Sequence, residues 1–312
     1  MVQETLNNTN SSSNDEDTLT SPRNSTDFSS AIDTDSKVNR HKPITRRRTL
    51  QIIGAVGAGA MLPIAALANT KVMSTWSGIS LGADADIQLF YPDKSKARKL
   101  LKACLNEITR LEKLFSLYMP DSTVTALNKH GRVDNPPAEF VELLRQAQSY
   151  SKATDGAFDI TVQGFLKKPH SQHSASYHAL RIEDDAIFFE KPNMQITLNG
   201  IAQGYITDKV TALLKREGIE HALVSLGEKY AIGTHPKGRS WRVGITGKSG
   251  YVELNNQAIA TSSNGDYQHI INPKTGQYAR PQTTTVIAST ATRADAMSTA
   301  FAVMGKSGII RL

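Results

Sequence analysis

The spacing of hydrophobic residues changes where the chain passes Tyr91-Pro92-Asp93. Before this point apolar residues alternate with mostly polar ones from 79 to 89, which predicts a half-buried strand. After it, apolar residues recur every three or four positions from 97 to 115, which predicts a long amphipathic helix. A chain with this switch has to combine a sheet and a helix in one core.

Further elements follow the same mixture. Helical spacing predicts helices over about 140–150, from about 206 to the terminating Gly218, and from 292 to 304. Short apolar runs predict strands at 186–189, 195–198, 221–226, 241–245, 251–254 and 257–260. The 195–198 strand is expected to pair with 186–189, and Asn255-Asn256 is expected to turn the chain between the last two strands. Because helices and strands do not alternate regularly, the sequence favours the α+β class.

The first 68 residues differ in composition from the rest of the chain. Residues 1–45 are rich in Ser, Thr, Asn and Asp, which predicts a disordered extension. Residues 46–68 combine Arg46-Arg47, a short glycine-containing apolar stretch and Ala66-Leu67-Ala68, which is typical of a twin-arginine export signal. An uncleaved membrane anchor and a basic nuclear-type run are the alternatives. We expect export and a soluble periplasmic domain over 69–312.

Charge and cysteine content exclude several function classes. The chain has 36 Lys and Arg against 29 Asp and Glu, a net charge of +7. The basic residues are scattered, so we expect no nucleic-acid partner, and membrane contact only through a partner protein. The single cysteine, Cys104, excludes an intrachain disulfide and a cysteine-based metal site, and its place on the apolar helix face indicates a core thiol. His170 and His173 lie in a polar segment without carboxylates, which favours a solvated loop over a metal site.

Three segments carry groups suited to chemistry, although each alone also has a structural interpretation. Asp295 and Thr299 lie four positions apart on a predicted helix and offer hard oxygen ligands for Mg²⁺; alternatively, Asp295 satisfies helix amides. Gly200 and Gly204 precede a helix, where backbone suits phosphate oxygens or forms an ordinary turn. His269, near a cluster of Thr and Ser hydroxyls, is a candidate proton-transfer group or a structural histidine.

Several segments occur together in a characteristic order: EKLFSLYMPDS at 112–122, LN at 127–128, AFDITV at 157–162, LNGIAQGY at 198–205, ATSSNGDYQHIINPKTG at 260–276 and ADAMSTA at 294–300. In order and spacing they resemble the ApbE family of bacterial FAD:protein FMN transferases. The similarity extends from about residue 78 to about 305. It implies a single α+β domain, related to the T-fold, with FAD in a cleft between a mixed sheet and helices.

The resemblance also implies an activity. Members of the family use Mg²⁺ to cleave FAD and attach FMN through a phosphoester bond to a Thr of an exported or membrane redox protein, releasing AMP. The implied partners are therefore FAD and an acceptor flavoprotein subunit with a Ser/Thr flavinylation motif. Asp295, Thr299 and the carbonyl of Gly200 would hold the metal, and the catalytic residues would be Asp295 and His269, with His269 as the base. The residues implied to contact FAD are Leu81, Tyr118, Ala157, Phe158, Asp159, Gln203, Ile270 and Ser298.

Three positions depart from the family pattern. Thr197 stands where the family usually has Asp, and Gln203 where it usually has Lys or Glu. Gly227-Glu228-Lys229 stands where it usually has two glycines followed by Asp, Asn or Glu. Compared with the family pattern, the sequence also stops at Leu312, short of the expected last helix and strand. Three hypotheses stay open: the transferase, an FAD pyrophosphatase, and a flavin-binding accessory protein of a periplasmic respiratory enzyme of the nitrous-oxide-reductase type.

Overall fold

A computed structural model describes residues 71–167, 176–245, 250–265 and 268–312. The expectations for 1–45, for 46–68, and for His170 and His173 lie outside the described residues and stay predictions. The helices are α1 (Lys94–Phe115), α2 (Thr123–His130), α3 (Ala138–Ala153), α4 (Gln163–Lys167), α5 (Ala202–Arg216) and α6 (Ala291–Val303). The strands are β1 (Val72–Ser80), β2 (Ala83–Tyr91), β3 (Arg132–Asp134), β4 (Leu180–Ile182), β5 (Ala186–Phe189), β6 (Ala222–Leu226), β7 (Glu228–Ile232), β8 (Trp241–Gly244), β9 (Tyr251–Leu254), β10 (Gln257–Ser263), β11 (Thr283–Ala288) and β12 (Gly308–Arg311).

Seven strands form the main sheet, in the order β1-β2-β6-β7-β10-β11-β12. Neighbours pair antiparallel except β11 and β12, which are parallel. Two small sheets, β3-β5-β4 and β8-β9, lie outside it. This mixture confirms the α+β class. None of the helices in the described part of the chain has the length and apolar character needed to cross a bilayer.

The two faces of the main sheet bury different partners. On one face, Tyr230, Ala258 and Val286 join the core that contains the buried residues of α1, α5 and α6. On the other face, Ala231 and Ile259 pack with the β8-β9 hairpin. Because side chains alternate across a strand, even-numbered residues of β7 and β10 face the helices. This alternation decides which strand residues can reach α6.

The predicted strand over 79–89 is wrong as a single element. The chain turns at Leu81 and Gly82, which both adopt positive φ, so that Ser80 pairs with Ala83 in a two-residue hairpin. Alternation did not reveal the turn because residues on both strands keep a period of two. The turn changes which residues face the core, so Ile79 is 69% exposed although it continues the odd-numbered apolar pattern of β2.

One other strand prediction was also wrong. Residues 195–198 form no strand; instead, the side chain of Asn128 binds both the amide and the carbonyl of Ile196. The predicted turn between β9 and β10 is present, with φ of 50° at Asn256, and the two strands belong to different sheets. The missing strand at 195–198 reflects a long-range contact, which local periodicity does not determine.

The predicted long helix is confirmed as α1. Asp93 caps it, accepting hydrogen bonds from the amides of Ser95 and Lys96 over 2.7 and 3.0 Å. Cys104 is fully buried on its apolar face, in agreement with the core-thiol interpretation. The predicted helices over 140–150, 206–218 and 292–304 correspond to α3, α5 and α6, but α5 begins earlier than predicted, at Ala202, so that Gly204 lies inside the helix.

Helices α5 and α6 approach each other closely at their N-terminal ends. A Cβ at Gly204 would lie 2.4 Å from the carbonyl oxygen of Ala291. Asp208 on α5 also accepts hydrogen bonds from the amides of Ala291 and Thr292, each over 2.8 Å. The first turns of the two helices are therefore fixed against each other, and this fixes the side chains that α6 presents further along.

Candidate active site

A cavity of about 820 Å³ lies where α5, α6 and strand β10 meet the segment around Phe158. The sequence-predicted residues that line it are Tyr118, Ala157, Phe158, Asp159, Gly200, Gln203, His269, Ile270, Asp295 and Thr299. The fold thus brings together residues that are separated by up to 181 positions in the chain. The roles assigned to them by resemblance stay predictions.

Two of the predicted residues do not line the cavity. Ser298 is fully buried behind it, where its hydroxyl lies 2.7 Å from that of Ser262 and donates to the carbonyl of Asp295 over 2.9 Å. Leu81 lies in the β1-β2 turn, and its amide donates to Glu112 over 2.8 Å. A Cβ at the adjacent Gly82 would lie 3.7 Å from the ring of Tyr118, so this turn lies beside a residue that lines the cavity.

Asp295 provides a buried carboxylate at one side of the cavity. It lies on the second turn of α6 and is only 3% exposed. Its Oδ2 accepts a hydrogen bond from the amide of Gly204 over 3.0 Å. Burial and the carboxylate of Glu228 raise the pKa of Asp295 well above its usual range, whereas the Gly204 hydrogen bond lowers it. Ionised Asp295 at this position therefore needs a positive partner.

Hydroxyl groups lie beside this carboxylate. Thr299 is one helical turn after Asp295, and its Oγ1 lies 3.2 Å from the hydroxyl of Ser262 on β10. The backbone of Gly200 packs directly against it, since a Cβ at Gly200 would lie 3.0 Å from Oγ1 of Thr299. Asp295, Thr299 and Gly200 are thus close enough to act on one small ligand.

Sequence reasoning did not select Glu228 as a site residue, although it lines the same cavity. It follows Gly227 in the turn between β6 and β7, and burial raises its pKa to about 7. The turn favours glycine because φ of Gly227 is 93°, and the end of the Gln203 side chain occupies the space that a Cβ there would take. Glu228 could be placed here only once β7 was known, and no periodicity predicted that strand.

Asn264 shapes the wall that carries His269. This asparagine is fully buried, and its Oδ1 accepts hydrogen bonds from the amides of His269 and Ile270 over 2.9 and 3.2 Å. The backbone is thereby fixed, while the His269 side chain stays solvent-exposed at the cavity. A ring in this position is accessible from the cavity.

Asp159 is held by the protein itself. It caps a short 3₁₀ turn, accepting from both the amide and the hydroxyl of Thr161 over 2.8 and 2.7 Å, and from the amide of Tyr177 over 2.9 Å. Burial raises its pKa, and these hydrogen bonds oppose the rise. Both carboxylate oxygens are therefore already engaged, and Asp159 joins the 3₁₀ turn to the backbone at Tyr177.

The described cavity lining can be tested against the implied ligands. It carries three carboxylates, from Asp159, Glu228 and Asp295, and no Lys or Arg. In the described ranges no cluster of three or more His, Cys, Asp or Glu side chains is placed to hold a metal. The implied ligand set uses one carboxylate, one hydroxyl and one carbonyl, which are the hard oxygen donors that Mg²⁺ accepts alongside substrate phosphates. The residues present therefore fit Mg²⁺.

Comparison with known proteins supports the family. The family model described as "ApbE family" matches residues 81–312. The chain belongs to the ApbE family. Among curated relatives, it is 28% identical to the FAD:protein FMN transferase of Haemophilus influenzae, over 82% of this chain and 87% of that protein. It is also 28% identical to the FAD:protein FMN transferase of Salmonella typhimurium, over 78% of this chain and 79% of that protein.

Solved ApbE structures share the fold. The flavinyl transferase ApbE of Pseudomonas stutzeri, in its apo form, superposes with a TM-score of 0.67 at 26% identity, covering 75% of this chain and 85% of that one. The ApbE protein of Thermotoga maritima superposes with a TM-score of 0.66 at 27% identity, covering 75% and 88%. The predicted single α+β domain of ApbE type is therefore confirmed.

Proposed function

We propose that this ApbE-family protein is an Mg²⁺-dependent FAD:protein FMN transferase. One observation carries the proposal: the cavity joins a buried Asp295, the Thr299 hydroxyl and the Gly200 backbone on one side to the exposed His269 ring. The curated relatives' names support the same activity. Apolar side chains of Leu117, Phe158 and Ile160 line another part of the cavity and suit a flat aromatic ring system.

In the proposed mechanism, Asp295, Thr299 and the Gly200 carbonyl would hold Mg²⁺. The ion would supply charge neutralisation at the FAD pyrophosphate. His269 takes the proton from a Thr hydroxyl of the acceptor protein. The hydroxyl oxygen forms a bond to the phosphorus of the FMN moiety, the bond from that phosphorus to the bridging oxygen breaks, and AMP leaves with the bridging oxygen. This chemistry needs positioning and charge neutralisation more than covalent help from the enzyme.

The setting of the reaction is part of the proposal. The twin-arginine pattern at 46–68 supports export to the periplasm, where an acceptor subunit with a Ser/Thr flavinylation motif would be modified. The pathway carries folded proteins, which suits a domain whose cavity needs long-range contacts such as that between Gly204 and Asp295. A reporter fused to residues 1–75 tests this part: it should reach the periplasm, and replacing both arginines (Arg46→Lys with Arg47→Lys) should retain it in the cytoplasm.

The activity is tested with purified protein, FAD, Mg²⁺ and an acceptor that carries a flavinylation motif. A fluorescent acceptor band on a denaturing gel is the expected result, and Asp295→Ala should abolish it. Asp184→Ala is the matched control, because Asp184 is fully exposed and pairs with Arg145 at the surface. If FAD binds tightly but the acceptor stays unlabelled, the accessory-protein hypothesis replaces the transferase.

A further inference from the structure

We propose that Glu228 is a second carboxylate ligand of the cation site, acting with Asp295 on one divalent ion. The proposal rests on the function proposed above and adds to it a residue that the family resemblance did not select. The position of Glu228 follows from strand geometry, because side chains alternate across β7. Tyr230 and Ile232 of β7 both pack in the helix-side core, so Glu228 lies on the same face, toward α5 and α6.

The surroundings of Glu228 direct it to the cavity. Thr207 on α5 donates to its backbone carbonyl, and the side chain of Gln203 covers the neighbouring Gly227. Strand β10 pairs with β7, and its Thr261 lines the cavity together with Glu228. Glu228 is therefore half-buried between α5 and β10, the same elements that border the Asp295 side chain.

A second observation indicates a positive ligand at this place. Asp295 is 97% buried, and its Oδ2 accepts from Gly204, whereas its Oδ1 has no hydrogen-bond donor among the described residues. Two neighbouring carboxylates in a partly closed cavity repel each other unless a proton or a cation lies between them. The described lining offers no Lys or Arg for this purpose. Lys229 lies next to Glu228 in the chain but does not line the cavity.

The chemistry of the surrounding groups selects a hard divalent cation. Carboxylate, hydroxyl and backbone carbonyl oxygens are the donors offered by Glu228, Asp295, Thr299 and Gly200. Softer ligands contribute less here. Cys104, the single cysteine, lies in the α1 core, and His269 lines the cavity as an exposed ring. A second carboxylate raises the affinity of such a site for the ion, since ligand charge tunes cation binding.

Mn²⁺ binding followed by electron paramagnetic resonance tests the proposal without measuring turnover. The protein is titrated with Mn²⁺ alone and with ADP as a pyrophosphate probe. Glu228→Gln should weaken Mn²⁺ binding roughly tenfold or more, as expected for loss of a charged ligand. Glu253→Gln, an exposed residue of β9 paired with Arg242, is the control and should bind as the wild type does.

The outcomes separate the two proposals. The role of Glu228 is overturned if Glu228→Gln binds Mn²⁺ as tightly as the wild type while Asp295→Asn binds it weakly. That result leaves the proposed function intact. Wild-type protein that binds no Mn²⁺ in either condition also overturns the role of Glu228. A separate assay tests the cation requirement of the proposed function: FMN transfer that continues in excess chelator would contradict that requirement. Thermal unfolding of Glu228→Gln and of the charge-conserving Glu228→Asp shows that each variant is folded.

Discussion

The amide of Gly204 donates a hydrogen bond to the carboxylate of Asp295 across 3.0 Å, joining the first turn of α5 to α6. The contact is possible because Gly204 has no side chain at the point where the two helices touch. One glycine therefore both allows the close approach and supplies a donor for the buried carboxylate. The geometry of the candidate cation site depends on this helix pair.

Gly204→Ala should destabilise the protein strongly. Its Cβ would lie 2.4 Å from the carbonyl oxygen of Ala291, and this backbone atom cannot move without displacing α6. We expect a loss of about 1–3 kcal/mol in the free energy of unfolding, measured by urea denaturation. Gly244→Ala is the control, since nothing lies within 4 Å of a Cβ there, and it should change stability by less than about 0.5 kcal/mol. Equal effects in the two variants would contradict the close-packing argument.

Removing the Asp208 carboxylate should loosen the start of α6. Asp208 accepts from the amides of Ala291 and Thr292 and from the Thr292 hydroxyl, so Asp208→Ala leaves buried donors without a partner. We expect a cost of about 1–3 kcal/mol in the free energy of unfolding. Relative to the wild type, amide hydrogen exchange in Asp208→Ala should become faster in α6 and stay unchanged in α3. Asp184→Ala is the control, because Asp184 is exposed. If α6 exchanges equally slowly in both variants, the Asp208 cap is dispensable.

Asn128 is predicted to hold the segment that leads to the cavity. Its Oδ1 accepts from the Ile196 amide over 2.7 Å, and its Nδ2 donates to the Ile196 carbonyl over 2.8 Å. Asn128→Asp keeps the acceptor and loses the donor, so it should lower the free energy of unfolding by about 1–3 kcal/mol. Urea denaturation measures the change. A variant as stable as wild type would mean that neighbouring contacts fix 195–198 without this side chain.

The helices could be predicted because their apolar spacing is local. The buried residues of α1, among them Leu100, Cys104 and Leu111, recur at helical intervals and needed no tertiary information. The β1-β2 turn could not be predicted in this way, since two residues of positive φ interrupt the chain without interrupting the alternation. The alternation alone therefore predicts a strand at Leu81, where the chain turns.

The candidate site also contains residues that local spacing predicts and residues that it does not. Asp295 and Thr299 share a helix face, so their spacing alone placed them together. Ser262 and Glu228 reach that face from two different strands, and their position depends on the order of β7 and β10 in the sheet. Glu228 was noticed in the sequence only as a departure from a glycine pattern. Strand order is a long-range property, which a single sequence does not display.

The thiol of Cys104 should be unreactive in the folded protein. Burial raises the pKa of its thiol to about 12, from a usual value near 9, so the reactive thiolate is absent at pH 8. Ellman's reagent at pH 8 should react only after denaturant is added. Rapid reaction in the native protein would contradict the buried position.

The raised pKa of the Cys104 thiol also determines how the free energy of unfolding changes with pH. An acid whose pKa is higher in the folded state stays protonated while the unfolded chain ionises. The stabilising contribution of Cys104 is therefore complete below about pH 9 and is lost as the pH rises toward 12. Cys104→Ala should show a smaller fall in the free energy of unfolding over that interval than wild type. Parallel curves for the two proteins would argue against the shift.

The central claim is that the protein transfers FMN from FAD to an acceptor, and the ratio of products tests it most directly. AMP and covalently flavinylated acceptor are quantified in the same reaction, by chromatography and intact-protein mass spectrometry. We predict one AMP released for each acceptor modified, and neither product from Asp295→Ala. AMP released with free FMN and an unmodified acceptor would contradict transfer and indicate FAD hydrolysis instead.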